Sequence, residues 1–280
     1  MTSVRRDSMK LGISIRLMGE ASTRGTIQEC ARAAEEAGLD DLWVPDHIAI
    51  PPDDAEGSGG RYLDPLASLA WLAGSTERIG LGTGVLILPY RPGLPTAKWI
   101  ATIQELSEGR MRLGVGVGWM RAEFKALGLS RSDRGRSTDA QLELLRRCFF
   151  AEEDVVVENE QPFLFRPKPP CPPIFIGGAG EHALQRTVRF GDGWMPMGAD
   201  PARLRPDIAR LHALAQDAKR PTPEVICLGA LETTDPYRGA SQLNELAEIG
   251  VTRFVLGGRY RSAGEFRTLV DRLVAIRTAA

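Results

Sequence analysis

The sequence predicts an α/β fold, a single (β/α)₈ TIM barrel with a small hairpin-like insertion before strand five. Three observations predict it. Short apolar or β-branched runs alternate with longer runs of helical spacing, eight times over, at roughly thirty residues per unit. Glycines gather where the predicted strands end. The rhythm breaks once, over residues 151–172. The whole chain, 1–280, reads as one domain behind a polar leader, 1–9, with no linker dividing it.

The first strand falls at 11–15. Its helix is expected to open on the capping box Thr26-Ile27-Gln28-Glu29, to bury Ile27, Cys30, Ala31 and Ala34, and to stop at Gly38. Strand two is 41–45. Asp64-Pro65 starts the next helix, a cap residue followed by proline in the first turn. Strand three is the glycine-rich 79–87. A helix over 95–107 is expected to turn Trp99, Ile100, Ile103 and Leu106 inward. Strand four is 111–117. The basic run 131–136 reads as a solvated loop before a helix at 138–149. In the insertion, Val155-Val156-Val157 and Phe163-Leu164-Phe165 flank a turn. Strands five to eight follow at 174–176, 194–197, 225–231 and 253–256, with helices at 181–190, 201–218 and 241–249. The last helix opens on a second capping box, Ser262-Ala263-Gly264-Glu265.

Composition narrows the function. Hydrophobic residues are 43% and charged residues 25%, as in a soluble globular protein. The 35 basic and 36 acidic side chains nearly cancel, and no basic stripe interleaved with aromatics suggests a nucleic-acid partner. No apolar run reaches membrane-span length, and no secretory signal opens the chain, so a cytoplasmic enzyme is expected. Cys30, Cys148, Cys171 and Cys227 are scattered, as are His47, His182 and His212, so no metal site is expected. Cys30 and Cys227 read as small buried hydrophobes in a reducing compartment.

Barrels of this class place chemistry at the C-terminal ends of their strands. Those ends read Asp46-His47, Gly82-Thr83-Gly84-Val85, Gly114 through Trp119, Gly177-Gly178-Ala179-Gly180, and Trp194. Glycine weakens a strand, so its clustering there suggests close approach of another backbone or a ligand. Residues 177–180 run straight into a helix, whose free N–H groups and dipole favour a phosphate. Gly178-x-Gly180-x-x-Ala183, with Asp200 about twenty residues on, also fits a loose dinucleotide fingerprint; the plainer reading is a tight turn. His47, ending strand two, is placed to shuttle a proton, against the alternative of a hydrogen-bonded loop histidine. Trp119 and Trp194 suit stacking on a planar ring, or simply core. Asp192 shapes the turn before strand six.

Four segments carry a family resemblance: Leu42-Trp43-Val44-Pro45-Asp46-His47; Arg78-Ile79-Gly80-Leu81-Gly82-Thr83-Gly84-Val85; Gly109-Arg110-Met111-Arg112-Leu113-Gly114-Val115-Gly116-Val117-Gly118-Trp119; and Pro173-Ile174-Phe175-Ile176-Gly177-Gly178. The chain resembles the luciferase-like monooxygenase superfamily, in particular its deazaflavin (coenzyme F-420) dependent oxidoreductase branch. The resemblance implies a non-proline cis peptide at Gly84-Val85 behind the cofactor ring, the cofactor phosphate on Gly177, Gly178 and their neighbours, and His47 at the reactive face. His47 is then the catalytic candidate. The cofactor-binding candidates are Asp46, Thr83, Gly84, Val85, Gly116, Gly118, Trp119, Gly177, Gly178, Ala179 and Gly180. Two departures stand out. Trp119 replaces the acidic residue that sugar-phosphate dehydrogenases of this branch carry after the strand-four glycines. Arg91-Pro92-Gly93 replaces a common Arg-His-Pro.

The implied activity is F-420-dependent hydride transfer to or from a small organic substrate. The alternative is a reduced-FMN monooxygenase using O₂ and a separate flavin reductase. A third reading, of another class, is a non-catalytic flavin-binding protein, and a nicotinamide-binding doubly wound fold is a distant fourth. Members of the family commonly form homodimers.

Overall fold

The computed structural model describes residues 9–55 and 57–280; of the expected leader, all but Met9 lie outside the described residues. In chain order the strands are β1 (Lys10–Ser14), β2 (Asp41–Val44), β3 (Gly80–Thr83), β4 (Leu86–Ile87), β5 (Met111–Gly116), β6 (Val155–Glu158), β7 (Gln161–Leu164), β8 (Ile174–Gly177), β9 (Gly193–Met195), β10 (Glu224–Gly229) and β11 (Arg253–Leu256). The helices are α1 (Arg24–Glu36), α2 (Pro65–Ala73), α3 (Gly93–Leu106), α4 (Arg121–Ala126), α5 (Arg134–Phe150), α6 (Glu181–Phe190), α7 (Pro201–Asp217), α8 (Pro236–Glu248) and α9 (Ala263–Ala279).

Eight parallel strands close a ring in the order β1-β2-β3-β5-β8-β9-β10-β11, with β11 returning to β1. This is the expected TIM barrel. The extra strand β4 lies outside the ring, paired to the end of β5 through Leu86 with Val115 and Ile87 with Gly116. The run expected as one strand over 79–87 is therefore two pieces, joined by a cis peptide at Gly84-Val85. Among the described residues, β6 and β7 pair antiparallel and only with each other.

Apolar side chains separate into two layers of the barrel and a small third cluster of Ile87, Tyr90 and Phe124 at its C-terminal end. A large outer layer lies between strands and helices, where each fully buried Leu or Phe contributes about 1.5–3 kcal/mol. A small inner cluster of Trp43, Phe175, Met195, Ile226 and Val255 fills the ring. Gly82 has no side chain because a Cβ there would strike the Trp43 indole. Below Trp43, at the N-terminal ends of the strands, buried Arg253 pairs with buried Asp41, and Arg112 Nε lies 3.6 Å from Asp41 Oδ1. That end is closed by packing and charge, which leaves the other end for ligands.

Several local expectations are corrected. Helix α1 begins a turn earlier than its expected box, because Thr23 is the cap and its hydroxyl accepts from the Thr26 N–H. Ser262 does cap α9, but Glu265 accepts from the Arg261 N–H rather than from Ser262. Trp99 and Leu106 face outward; the inward side of α3 is Ala97, Ile100, Ala101, Ile103 and Gln104. Small alanines let this helix sit close, and Gln104 joins the core by accepting from Met111 N and donating to Pro170 O. The basic run 131–136 is a 3₁₀ turn and the start of α5, held where Arg134 donates to Arg131 O and Thr138 donates to Arg134 O. Helix α8 starts at Pro236, capped by Asp235. As expected, Asp192 shapes its turn by accepting from Ile174 N.

Candidate active site

The C-terminal end of the barrel holds a cavity of about 1350 Å³. His47 lies just past the end of β2, at its wall, with its side chain 20% exposed. His47 Nδ1 is 2.9 Å from Glu123 Oε2. Glu123 comes from α4 and is fully buried. Its Oε2 also accepts from the Tyr90 hydroxyl at 3.0 Å. Its Oε1 accepts from the Ile48 and Ala49 N–H groups at 2.6 and 3.0 Å. Burial works against the carboxylate, but the hydrogen bonds from His47, Ile48 and Ala49 outweigh it and hold the group at about 2. Burial first, and then the Glu123 charge, push the Tyr90 phenol upward, so it remains a donor. A charged acceptor against Nδ1 selects the tautomer with hydrogen there and leaves Nε2 with a lone pair. Tyr62 and Trp119 meet the His47 ring edge-to-face at centroid distances of 5.1 and 6.2 Å.

Asp46 has a different task. Its buried carboxylate takes a two-point grip from Arg91, at 2.6 and 2.8 Å, and accepts from Ile87 N at 2.8 Å. Arg91 also reaches Asp64, the cap of α2, at 2.8 Å. Asp46 lines the cavity, but its oxygens are spent on fixing β4 and the segment after it. Such a fork-to-carboxylate pair adds geometric definition as well as energy.

Val85 explains the glycines. A Cβ on Gly116 would lie 2.5 Å from a Val85 methyl, and one on Gly177 would lie 2.8 Å from the other. A Cβ on Gly114 would run into the Thr83 carbonyl. These glycines make room for the bulge that backs the cavity, where the sequence suggested a backbone or a ligand. Gly118 has φ +79°, and a Cβ there would crowd Ile87 and Phe124. Thr83 is fully buried and outside the cavity lining, with its hydroxyl donating to Gly114 O at 2.6 Å. It holds β3 to β5.

The loop after β8 is open. Gly178 has φ +120°, and Gly178, Ala179 and Gly180 are exposed. Gly177 and Gly178 line the cavity; Ala179 and Gly180 lie beyond its lining, at the start of α6. The first N–H groups of a helix have no partner within it. Trp194 is fully buried, and its indole donates to Gly178 O at 2.9 Å, so it steers this loop rather than stacking on a ligand. Asp200, the acidic end of the loose fingerprint, caps α7 through Ala202 N. Trp119 does reach the rim, 63% exposed, with its carbonyl held by Arg131 Nε at 3.0 Å.

The structure thus brings Asp46, His47, Gly84, Val85, Gly116, Gly118, Trp119, Gly177 and Gly178 around one cavity. Sequence reasoning missed Glu123, Tyr90 and Arg91. No local pattern marks Glu123, which lies on a six-residue helix and meets His47 from 76 positions away.

A model of the luciferase-like monooxygenase family matches residues 9–235. The chain belongs to the luciferase-like monooxygenase family. An F420-dependent glucose-6-phosphate dehydrogenase from Kineococcus radiotolerans is 31% identical to this chain over 205 residues, spanning 70% of this chain and 58% of that protein. Two solved structures share the fold. An F420-dependent secondary alcohol dehydrogenase, in complex with an F420-acetone adduct, superposes with a TM-score of 0.78 at 17% identity, covering 96% of this chain and 99% of that one. The oxygenating constituent of 3,6-diketocamphane monooxygenase from Pseudomonas putida, with FMN, superposes with a TM-score of 0.75 at 13% identity, covering 94% and 96%. This luciferase-like chain is an oxidoreductase. No helix among the described residues is long and apolar enough to cross a membrane.

Proposed function

We propose that this luciferase-like protein is a coenzyme F-420 dependent oxidoreductase acting on a small organic substrate. One observation carries the reading: a cavity-wall histidine whose Nδ1 is held by a buried carboxylate, leaving Nε2 for a substrate heteroatom. The F420-dependent relative at 31% identity supports the choice of cofactor.

The residues fit a tricyclic ring bearing a phosphate. The cavity exceeds the roughly 300–1,000 Å³ of ordinary small-molecule sites, leaving room for cofactor and substrate together. Val85 would back the ring. Gly177 and Gly178, with the N–H groups of Ala179 and Gly180, would hold the phosphate, in a loop whose positive φ favours glycine. The bound deazaflavin would supply two-electron hydride chemistry.

The protein's own work is proton handling and shielding. In substrate oxidation, His47 Nε2 takes the proton from a substrate hydroxyl; in reduction it returns one to the forming oxygen. Glu123 stabilises the charged imidazole and fixes its orientation. Trp119 and Tyr62 border the imidazole and limit water around it.

Side-by-side equilibrium titration of the purified protein with F-420 and FMN, followed by anaerobic turnover, tests the assignment. Tight F-420 binding with oxygen-independent turnover is expected. Activity that requires reduced FMN, molecular oxygen and a flavin reductase overturns it in favour of a monooxygenase.

A further inference from the structure

The proposed cofactor contacts occupy one side of the rim. In the ring order, β8 and β1 are four strands apart out of eight, so they face each other across the barrel. Beyond β1 and β11 the cavity wall is cationic: Arg16, Arg259 and Arg261 all line it.

Arg16 is the most constrained of the three. It is half-buried just past the end of β1. Its own N–H donates to the Tyr260 hydroxyl at 2.7 Å, which ties the end of β1 to the segment after β11. One guanidinium nitrogen donates to Gly57 O at 3.1 Å. Its Nε is buried and, among the described residues, has no acceptor. Glu20 and Glu265 line the same mouth, and Glu265 is tied to the Arg261 N–H. Among the described residues, neither carboxylate forms an ion pair with any of the three arginines. A partly desolvated guanidinium without a carboxylate is costly to leave unpaired. A ligand oxyanion would answer that cost with charge-assisted, two-point hydrogen bonds. The position also suits a substrate, since Arg16 lines the same cavity as His47 and as Tyr62, whose ring meets the His47 imidazole edge-to-face.

We propose that Arg16, with Arg259 and Arg261, forms an anion subsite that anchors a carboxylate or phosphate of the substrate across the barrel from the cofactor phosphate. This rests on the redox reading above for the word substrate; the anion site itself does not. The same oxyanion chemistry has a second source, the acidic tail of coenzyme F-420, and the test separates the two.

The test is calorimetric titration of the ligand-free protein with inorganic phosphate and, separately, succinate at low salt. It is run on the wild type, Arg16→Gln and the double variant Arg259→Gln/Arg261→Gln, with F-420 affinity measured alongside. Arg16→Gln is expected to weaken anion binding about tenfold or more, the loss typical of a hydrogen bond to a charged group. The double variant is expected to weaken it less, and F-420 affinity to stay unchanged in both. Should Arg16→Gln fail to fold, the double variant carries the test, because both of its positions are exposed. Anion affinity indifferent to the arginines overturns the proposal. So does a parallel fall in F-420 affinity, which would give these residues to the cofactor tail. If the wild type binds neither F-420 nor FMN, the redox reading falls, and the anion titration still decides the subsite.

Discussion

The two sides of the barrel mouth are built in opposite ways. On the β2–β5 side both buried carboxylates are answered within the protein, and only His47 Nε2 is left facing the cavity among the groups of this network. Glu123 accepts from His47, Tyr90, Ile48 and Ala49, and Asp46 accepts from Arg91 and Ile87. On the β8–α6 side residues 178–180 are exposed, strained toward glycine at Gly178 and Gly180, and anchored chiefly by the Trp194 indole. A closed network fixes a proton-transfer group before any ligand arrives, so little reorganisation remains for the chemical step. An open row of N–H groups is worth most when an anion completes it. Perturbing the first side should therefore change turnover, and perturbing the second should change affinity.

The largest expected effect breaks the closed side. His47→Ala should lower turnover by about 10²–10⁴-fold, the usual contribution of a positioned acid–base group, with cofactor affinity kept. Glu123→Gln should approach that loss by another route. The Gln carbonyl can still accept from Ile48 and Ala49, but its amide would donate toward His47 Nδ1 and move the imidazole hydrogen to Nε2. Nitrogen NMR of the His47 ring would report that exchange of tautomers. A variant with full turnover and an unchanged tautomer would remove Glu123 from the mechanism.

Next comes the open side. Gly178→Val places a side chain at φ +120°, where the expected backbone cost is about 1–3 kcal/mol, although the nearest atom to a Cβ is 3.5 Å away. The loop should shift and its N–H groups lose their aim. Deazaflavin with its phosphate-bearing chain should then bind no better than the same ring without it, whereas the wild type should prefer the phosphate form. Thermal melting read in parallel separates this from simple unfolding. If the phosphate preference survives in a folded variant, the anion lies elsewhere.

These two sides were not equally legible in the sequence. The barrel was, because eight alternations of period and the glycine-rich strand ends are local signals. His47 and 177–180 were too, since each ends a strand. Glu123 was not. It sits on a six-residue helix too short for a periodic signature, and it meets His47 across 76 positions of chain. The glycines were legible only as places of close approach. That Gly116 and Gly177 make room for Val85 is a steric relation that only the closed ring creates.

Acid should reveal the closed side as well. An ordinary glutamate titrates near 4.5, while Glu123 is held at about 2, first against its burial and then by its hydrogen bonds. The folded state therefore binds its proton less readily than the unfolded chain. The resulting stabilisation is complete above about pH 5, falls as pH drops through the interval from about 4.5 to 2, and is gone below it. A depression of that size corresponds to about 3 kcal/mol. Denaturant titrations from pH 6 to pH 2.5 should show this slope in the wild type and a shallower one in Glu123→Gln. Equal slopes would mean that other carboxylates set the acid limit.

Within the closed side, the mildest change falls on Tyr90. Tyr90→Phe removes one of four donors to Glu123 and keeps the edge-to-face packing on Phe124, at a centroid distance of 5.1 Å. His47, Ile48 and Ala49 remain to hold the carboxylate, so the His47 tautomer should persist. Stability should fall by about 1.5–3 kcal/mol, the range for a hydrogen bond to a charged group. Turnover should fall by a few-fold at most, and the acid slope should move slightly toward higher pH as Glu123 loses a donor. Tyr90 also lines the cavity, which gives the variant a second meaning. If its turnover falls as far as that of Glu123→Gln while the His47 tautomer is unchanged, the phenol is itself a proton donor to the substrate. The closed side would then hold two proton-handling groups where the geometry around Glu123 assigns one.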